Sequence, residues 1–358
     1  MLKRDWSWAI LGVMALVIRY FAVQNPEATD EIYSRKFFPG IRNVIDLTLG
    51  NLPFPSVYLF VATVFFVLGL FIYRFKNRLG WKAKSLYSIQ ALANGAGAIV
   101  FFFLVLWGFN YQRTPIFQQL ALKPKALNLE QLKSEIEITR RLVVQYRSRV
   151  TPDSLPINSI MDYPDLERLV RANMNENLEI LGLNFTGKPR TKLFPPPGFM
   201  RKMGIMGIYF PFTGESYIDP TLHPLEQPFT VAHEMAHSYG VTDEGEANFI
   251  AWVICTNSED PLLRYSAHLR LLQYQMRDFY RMAPDEYREW VRGLTIGIRN
   301  DLNSIRETSE AIKPYSLEIS RKSNDIFLKS QGVKAGVNSY QQLPMLAFSW
   351  RKRMNLED

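Results

Sequence analysis

Phe229-Thr-Val-Ala-His-Glu-Met-Ala-His-Ser-Tyr-Gly240 is the stretch on which the reading of this chain turns. Two histidines, His233 and His237, stand four apart, so on a helix they share one face and both imidazoles can reach a single ion. Glu234, directly after the first histidine, is placed to act as a general base on water beside that ion. The flanks supply the helix that this HExxH pattern requires. Pro228 and Thr230 are start signals, Val231, Ala232, Met235 and Ala236 give an apolar face, and Gly240 can end the helix as a left-handed cap. The chain has four histidines, and half of them fall here. Shuffled sequences of this composition would contain the pattern on the order of a few times per thousand. The other two, His223 and His268, read as loop or surface histidines.

A catalytic zinc ion takes three protein ligands and keeps one position for water. The third ligand is expected from Thr242-Asp-Glu-Gly-Glu-Ala-Asn-Phe-Ile250, where Thr242 reads as the N-cap of a second helix. Asp243, Glu244 and Glu246 fill its first turn, a placement that also suits the helix dipole. All three acids are candidates on these grounds.

Here the sequence resembles the gluzincin metallopeptidases, in which HExxH is followed on a later helix by Glu-x-x-Ala-Asp. It is most similar to integral-membrane members such as the CAAX prenyl proteases and their bacterial heat-shock relatives. Glu244-Gly-Glu-Ala-Asn248 stands in for that second motif. The resemblance implies Glu244 as zinc ligand and Asn248 as the residue that orients a ligand histidine. It departs from the clan in having Asn for Asp and in a link of only six residues between His237 and Glu244. Read against metzincins, Asp243 would be the ligand instead. Trp107-Gly-Phe-Asn-Tyr-Gln-Arg113 and Gly336-Val-Asn-Ser-Tyr340 resemble a family of bacterial multi-pass membrane proteins, over nearly the full length and with no substrate attached.

The N-terminal part carries runs long enough for a bilayer core, which needs about 20 residues. They are Trp6–Val23, Pro55–Tyr73 and Ala91–Phe109. Arg19, near the end of the first, can snorkel to the headgroups. The row Ala91, Ala93, Gly95, Ala96, Gly97 and Ala98 suits close helix packing within a membrane. Residues 1–110 hold eleven Lys/Arg against five Asp/Glu, most of the chain's formal charge of +8. This excess flanks apolar runs and forms no basic stripe on a folded domain, so it argues for topology and against nucleic acid. The loop with Arg74, Lys76, Arg78, Lys82 and Lys84 has no acid and is expected in the cytoplasm. The N-terminus is then inside, and residues 111–358 lie outside the cytoplasmic (inner) membrane of a bacterium.

Residues 111–358 are numerous enough for a core of their own. Leu129, Leu132, Ile136, Val143 and Tyr146 recur at helical spacing, and further helices are expected at 165–181 and 287–303. Gly207–Ile218 reads as two short strands about a turn near Thr213-Gly214, with Pro211 confining the first to an edge. Gly207, Ile208, Tyr209 and Phe210 are candidates to bind an extended substrate as an added strand. Tyr209, Tyr239 and Tyr340 are candidate oxyanion donors. The single Cys255 excludes an intramolecular disulfide and reads as a small buried hydrophobe.

The expected architecture is mainly α: a three-helix transmembrane region over 1–110, then an α-rich, zincin-like α+β domain over 111–358 with a small edge-strand sheet. The expected activity is zinc-dependent hydrolysis of protein or peptide substrates at a bilayer, with Glu234 as base. Its rival is a non-catalytic membrane protein with a structural or degenerate zinc site, which would show four protein ligands and no open position. Protease added to intact spheroplasts should digest residues 111–358. Protection until lysis would reverse the orientation.

Overall fold

A computed structural model describes residues 5–183, 186–333, 336 and 342–354. It is mainly helical, with one three-stranded sheet, and its chain divides into two compact units. The first comprises residues 1–114 together with 210–215, and the second residues 115–209 and 216–358.

In the first unit, α1 (Ser7–Gln24), α3 (Val57–Lys76) and α4 (Trp81–Leu106) are long and apolar enough to cross a membrane. A helical connection that includes α2 (Phe38–Leu47) joins the first two. None of the α3 side chains is buried, and Val64, Phe65, Phe66 and Val67 are all exposed, an arrangement that suits lipid and not water. α4 starts ten residues before the run expected at 91–109 and stops short of Phe109, which is buried in the turn Gly108–Gln112. Nothing between Gly80, at φ +79°, and Leu106 breaks a helix, so Lys82 and Lys84 sit in the first turn of α4 and leave the basic loop shorter.

The small residues act where α1 meets α4. A Cβ on Gly12 would lie 2.5 Å from the Gly97 Cα, and one on Gly97 would lie 2.3 Å from the Trp8 carbonyl oxygen. The two backbones are therefore in contact. α4 also satisfies the start of α1: the Asn94 Oδ1 accepts from the Ala9 N–H (3.0 Å), and Gln90 and Asn94 donate to the Asp5 carbonyl (2.6 and 2.8 Å). Residues 210–215 belong to this unit through polar and aromatic contacts. The Ser56 N–H and hydroxyl donate to Glu215 (2.8 and 2.7 Å), Arg42 donates to the Gly214 carbonyl (2.5 Å), and the Phe60 ring packs on Phe210 and Phe212.

The second unit opens with α5 (Leu129–Val150), started by an Asn128/Gln131 capping box, and α6 (Tyr163–Asn177). β1 (Thr191–Leu193), which the sequence did not signal, runs parallel to β3 (Glu215–Ile218), with Thr191 opposite Ser216. β2 (Gly207–Phe210) is the outer strand on the other side of β3, the edge position that Pro211 demands. Then follow α7 (Gln227–Ser238), α8 (Glu244–Thr256), α9 (Pro261–Met282), α10 (Pro284–Arg292), α11 (Ile296–Ala311), α12 (Leu317–Gln331) and α13 (Leu343–Arg353). The single helix expected over 287–303 is broken at Gly293–Thr295, where Thr295 adopts an extended conformation before α11.

α7 and α8 occupy the centre. Every residue from Pro228 to Ser238 and from Gly245 to Cys255 is buried, and Val231, Met235, Ile250 and Ile254 pack with Leu166 and Val170 of α6, Leu271 of α9 and Leu346 of α13. Cys255 lies in this core, where burial pushes its thiol up to about 12. The α1–α4 contact gives a direct check. Gly97→Val should lower the thermal midpoint of the detergent-solubilised protein, the overlap costing at least about 1–3 kcal/mol. Gly95→Ala, with nothing within 4 Å of its added Cβ, should be tolerated. Equal effects of the two would show that close backbone approach is unimportant.

Candidate metal centre

α7 ends as its sequence requires. Gly240 adopts φ +85°, the Gly240 and Val241 N–H groups close on the His237 and Ala236 carbonyls, and the chain reverses toward α8. The N-cap of α8 is Asp243 and not Thr242: the Asp243 Oδ1 accepts from the Gly245 and Glu246 N–H groups (2.8 and 3.0 Å). This tight turn brings Glu244 over the histidine face of α7.

Three ligand atoms then converge. The His233 and His237 Nε2 atoms are 3.1 Å apart, and the Glu244 Oε2 lies 3.1 Å from the first and 3.2 Å from the second. Ligands 2.0–2.2 Å from a tetrahedral zinc ion lie roughly 3.3 Å from one another, so this triangle matches three corners of such a site. Among the described residues the group holds these three members, whereas a closed site takes four. The His237 Nδ1–H donates to the Val241 carbonyl (2.7 Å), which turns Nε2 inward.

The other acids are engaged elsewhere. The Asp243 carboxylate serves as the cap, and the buried Glu246 accepts from the Phe117 N–H (3.1 Å). Asn248 is buried on the next turn of α8 and donates to the Tyr274 hydroxyl (3.4 Å). Glu234 projects beside the triangle, with a buried Oε2 that has no protein partner among the described residues. Its backbone carbonyl accepts from the Ser216 hydroxyl (2.7 Å), which is itself bonded to the Ser238 hydroxyl (2.8 Å).

Of the expected edge strand, Gly207 lies against the Glu234 carboxyl, Ile208 is exposed, Tyr209 is buried, and the Phe210 ring packs on Phe60 within the first unit. The Tyr239 hydroxyl donates to Asn175 and to the Gly187 carbonyl, and Tyr340 lies outside the described residues. His223 and His268 are not surface histidines. His223 is held by the Leu225 N–H and Ser304, and burial drives it down to about 4. His268 stacks on Tyr146, and burial with Arg351 and Arg264 drives it down to about 3. Both are neutral packing groups.

The electrostatics of the triangle follow from its setting, two buried imidazoles beside a half-buried carboxylate. Burial alone would push His237 down, but the Glu244 carboxylate beside it wins and holds it up to about 9. Burial would raise Glu244, but the two imidazoles hold it well below the usual carboxylate range. Burial keeps His233 low, with His237 adding to the effect. Burial raises Glu234 to about 8, against the pull of His237 and with the push of Glu244. Without a metal, the cluster therefore stores protons on His237 and on Glu234 at neutral pH.

Sequence reasoning had no access to the Val241 carbonyl, Ser216, Ser238 or Arg270, because these act through tertiary contacts. Arg270 pairs with Glu226 (3.6 Å), and its charge contributes to keeping His233 low.

Residues 33–348, spanning most of both units, match the family described as "Protein of unknown function (DUF3810)". The chain belongs to this family. No curated protein and no solved structure matches this DUF3810 member.

Two outcomes test the centre in this DUF3810 chain. His233→Ala and His237→Ala should lose bound metal and Glu244→Gln should weaken it, while Asp243→Asn, which keeps a cap, and Glu246→Gln should retain it, by metal analysis of purified protein. Zn²⁺ added to metal-free protein at pH 7 should also release up to about two protons per ion, because His237 must give up its proton to bind and Glu234 ionises beside the cation; release should fade above about pH 9.5. No release at pH 7 would place the ion elsewhere.

Proposed function

We propose that this chain is a membrane-anchored zinc metallopeptidase of gluzincin type, its zincin-like domain extracytoplasmic and its substrates proteins or peptides. The observation that carries the reading is the convergence of His233, His237 and Glu244 on one point, beside a buried Glu234. Two imidazoles and a carboxylate are the donor set of catalytic zinc peptidases, and the intact Glu234 has no purpose in a purely structural site. When bound, zinc supplies a Lewis acid that polarises a carbonyl and makes water acidic.

The protein's own groups do the rest. His233, His237 and Glu244 would hold the ion, with the Val241 carbonyl fixing the His237 ring. Glu234, whose carboxyl is raised by burial, would be ionised beside a bound divalent cation and so be ready to take a proton. Glu234 accepts that proton from the attacking water as the new C–O bond forms. It then delivers the proton to the leaving nitrogen as the C–N bond breaks. β2, the outer strand of the sheet and next to Glu234, is suited to hold an extended peptide.

Glu234→Gln preserves size and helix but removes the basicity. Quenched-fluorescent peptide mixtures should be hydrolysed about 10²–10⁴-fold more slowly by this variant, at unchanged zinc content and thermal midpoint. Equal rates for the variant and the parent would reject the peptidase reading in favour of a structural metal site.

A further inference from the structure

The sheet meets the metal helix at Glu234 from two sides. On the backbone side, Ser216 of β3 donates its hydroxyl to the Glu234 carbonyl (2.7 Å), and Ser238 adds a longer bond to the same oxygen (3.3 Å). On the side-chain side stands Gly207 of β2. A Cβ built on Gly207 would lie 2.3 Å from the Glu234 Oε1 and 2.7 Å from both Cδ and Cγ. Real Cβ contacts essentially never fall below 3.0 Å, so the carboxyl fills the space that any other residue's side chain would take.

The backbone does not call for glycine at this position. Gly207 is absent from the glycines with positive φ, so its conformation is one that any residue adopts. Gly207 opens β2, and a glycine fixed in ordered backbone loses more conformational freedom than alanine would. The missing side chain is explained by what it admits, and what it admits is the Glu234 carboxyl. Glu234 has little room to retreat, because it is buried and so is its helix from Pro228 to Ser238.

We infer that Gly207 is a positioning residue for Glu234: the edge strand leaves out a side chain so that the carboxyl can stand beside the three ligand atoms. The catalytic consequence rests on the peptidase reading above. The steric coupling does not, and it can be measured separately. An alanine at 207 pushes the carboxyl from its place without touching a metal ligand, so zinc is retained while proton transfer suffers.

The test is a double-mutant cycle in the full-length, zinc-loaded protein in detergent, with Gly207→Ala and Gly207→Val made alone and in the Glu234→Ala background. Alone, the substitutions should lower the thermal midpoint by about 2–10 °C, valine more than alanine. In the Glu234→Ala background, where the obstructing carboxyl is gone, Gly207→Ala should be neutral or raise the midpoint. On a quenched-fluorescent peptide mixture, Gly207→Ala should lower kcat at least about tenfold with unchanged zinc content and little change in KM. Equal shifts in the midpoint in the two backgrounds, or no shift in either, would overturn the positioning role. If the parent hydrolyses none of the peptides while the stability cycle shows the coupling, it is the peptidase reading that has failed.

Discussion

The turn between α7 and α8 is the constraint on which the site depends. Six residues separate His237 from Glu244, and in that span the chain must leave one buried helix, reverse and enter another. The left-handed Gly240 makes the reversal, and the Asp243 carboxylate caps the new helix. Between them the Val241 carbonyl is left facing back at the His237 ring. One short segment thus places the third acid and orients a histidine. Replacing Gly240 by a residue with a Cβ would put strain where the geometry is least forgiving.

Burial gives this arrangement its chemical character. Two imidazoles and two carboxylates sit close together, three of them buried and Glu244 half-buried. Groups of this kind are costly to bury unless their charges answer one another. His237 and Glu244 do so as a proton-sharing pair, with opposite shifts of their titration. Glu234 is left with one oxygen unanswered by protein and with a raised affinity for its proton. A cation would replace both stored protons and resolve both conditions.

The helix that carries both histidines, its apolar face and its glycine stop were legible in the sequence, because these are local signals carried by side-chain type and spacing. The sequence also showed the hairpin around Thr213-Gly214 and the small-residue row that meets α1, of which Gly97 makes the closest approach. It left three acids open, because Asp243, Glu244 and Glu246 are equivalent as dipole partners and only the path of the turn distinguishes them. Thr242 and Asp243 are both good caps, and a shift of one residue at a helix start lies beyond pattern reading. His223 does lie in a loop, but its burial and that of His268 within α9 leave no mark in the sequence, because a buried neutral histidine differs from an exposed one only by what packs on it. β1 is too short to carry a period, and the role of Gly207 exists only across a tertiary contact.

Zinc-edge X-ray absorption on the purified full-length chain tests the central claim most directly, since it reads the atoms around the metal without needing a substrate. The geometry predicts about one zinc per chain with two imidazole nitrogens and light oxygen ligands at roughly 2.0–2.2 Å, among them a solvent oxygen, and no sulfur. A closed shell of four protein ligands, a sulfur at roughly 2.3 Å, or spectra unchanged in His233→Ala and His237→Ala would contradict it.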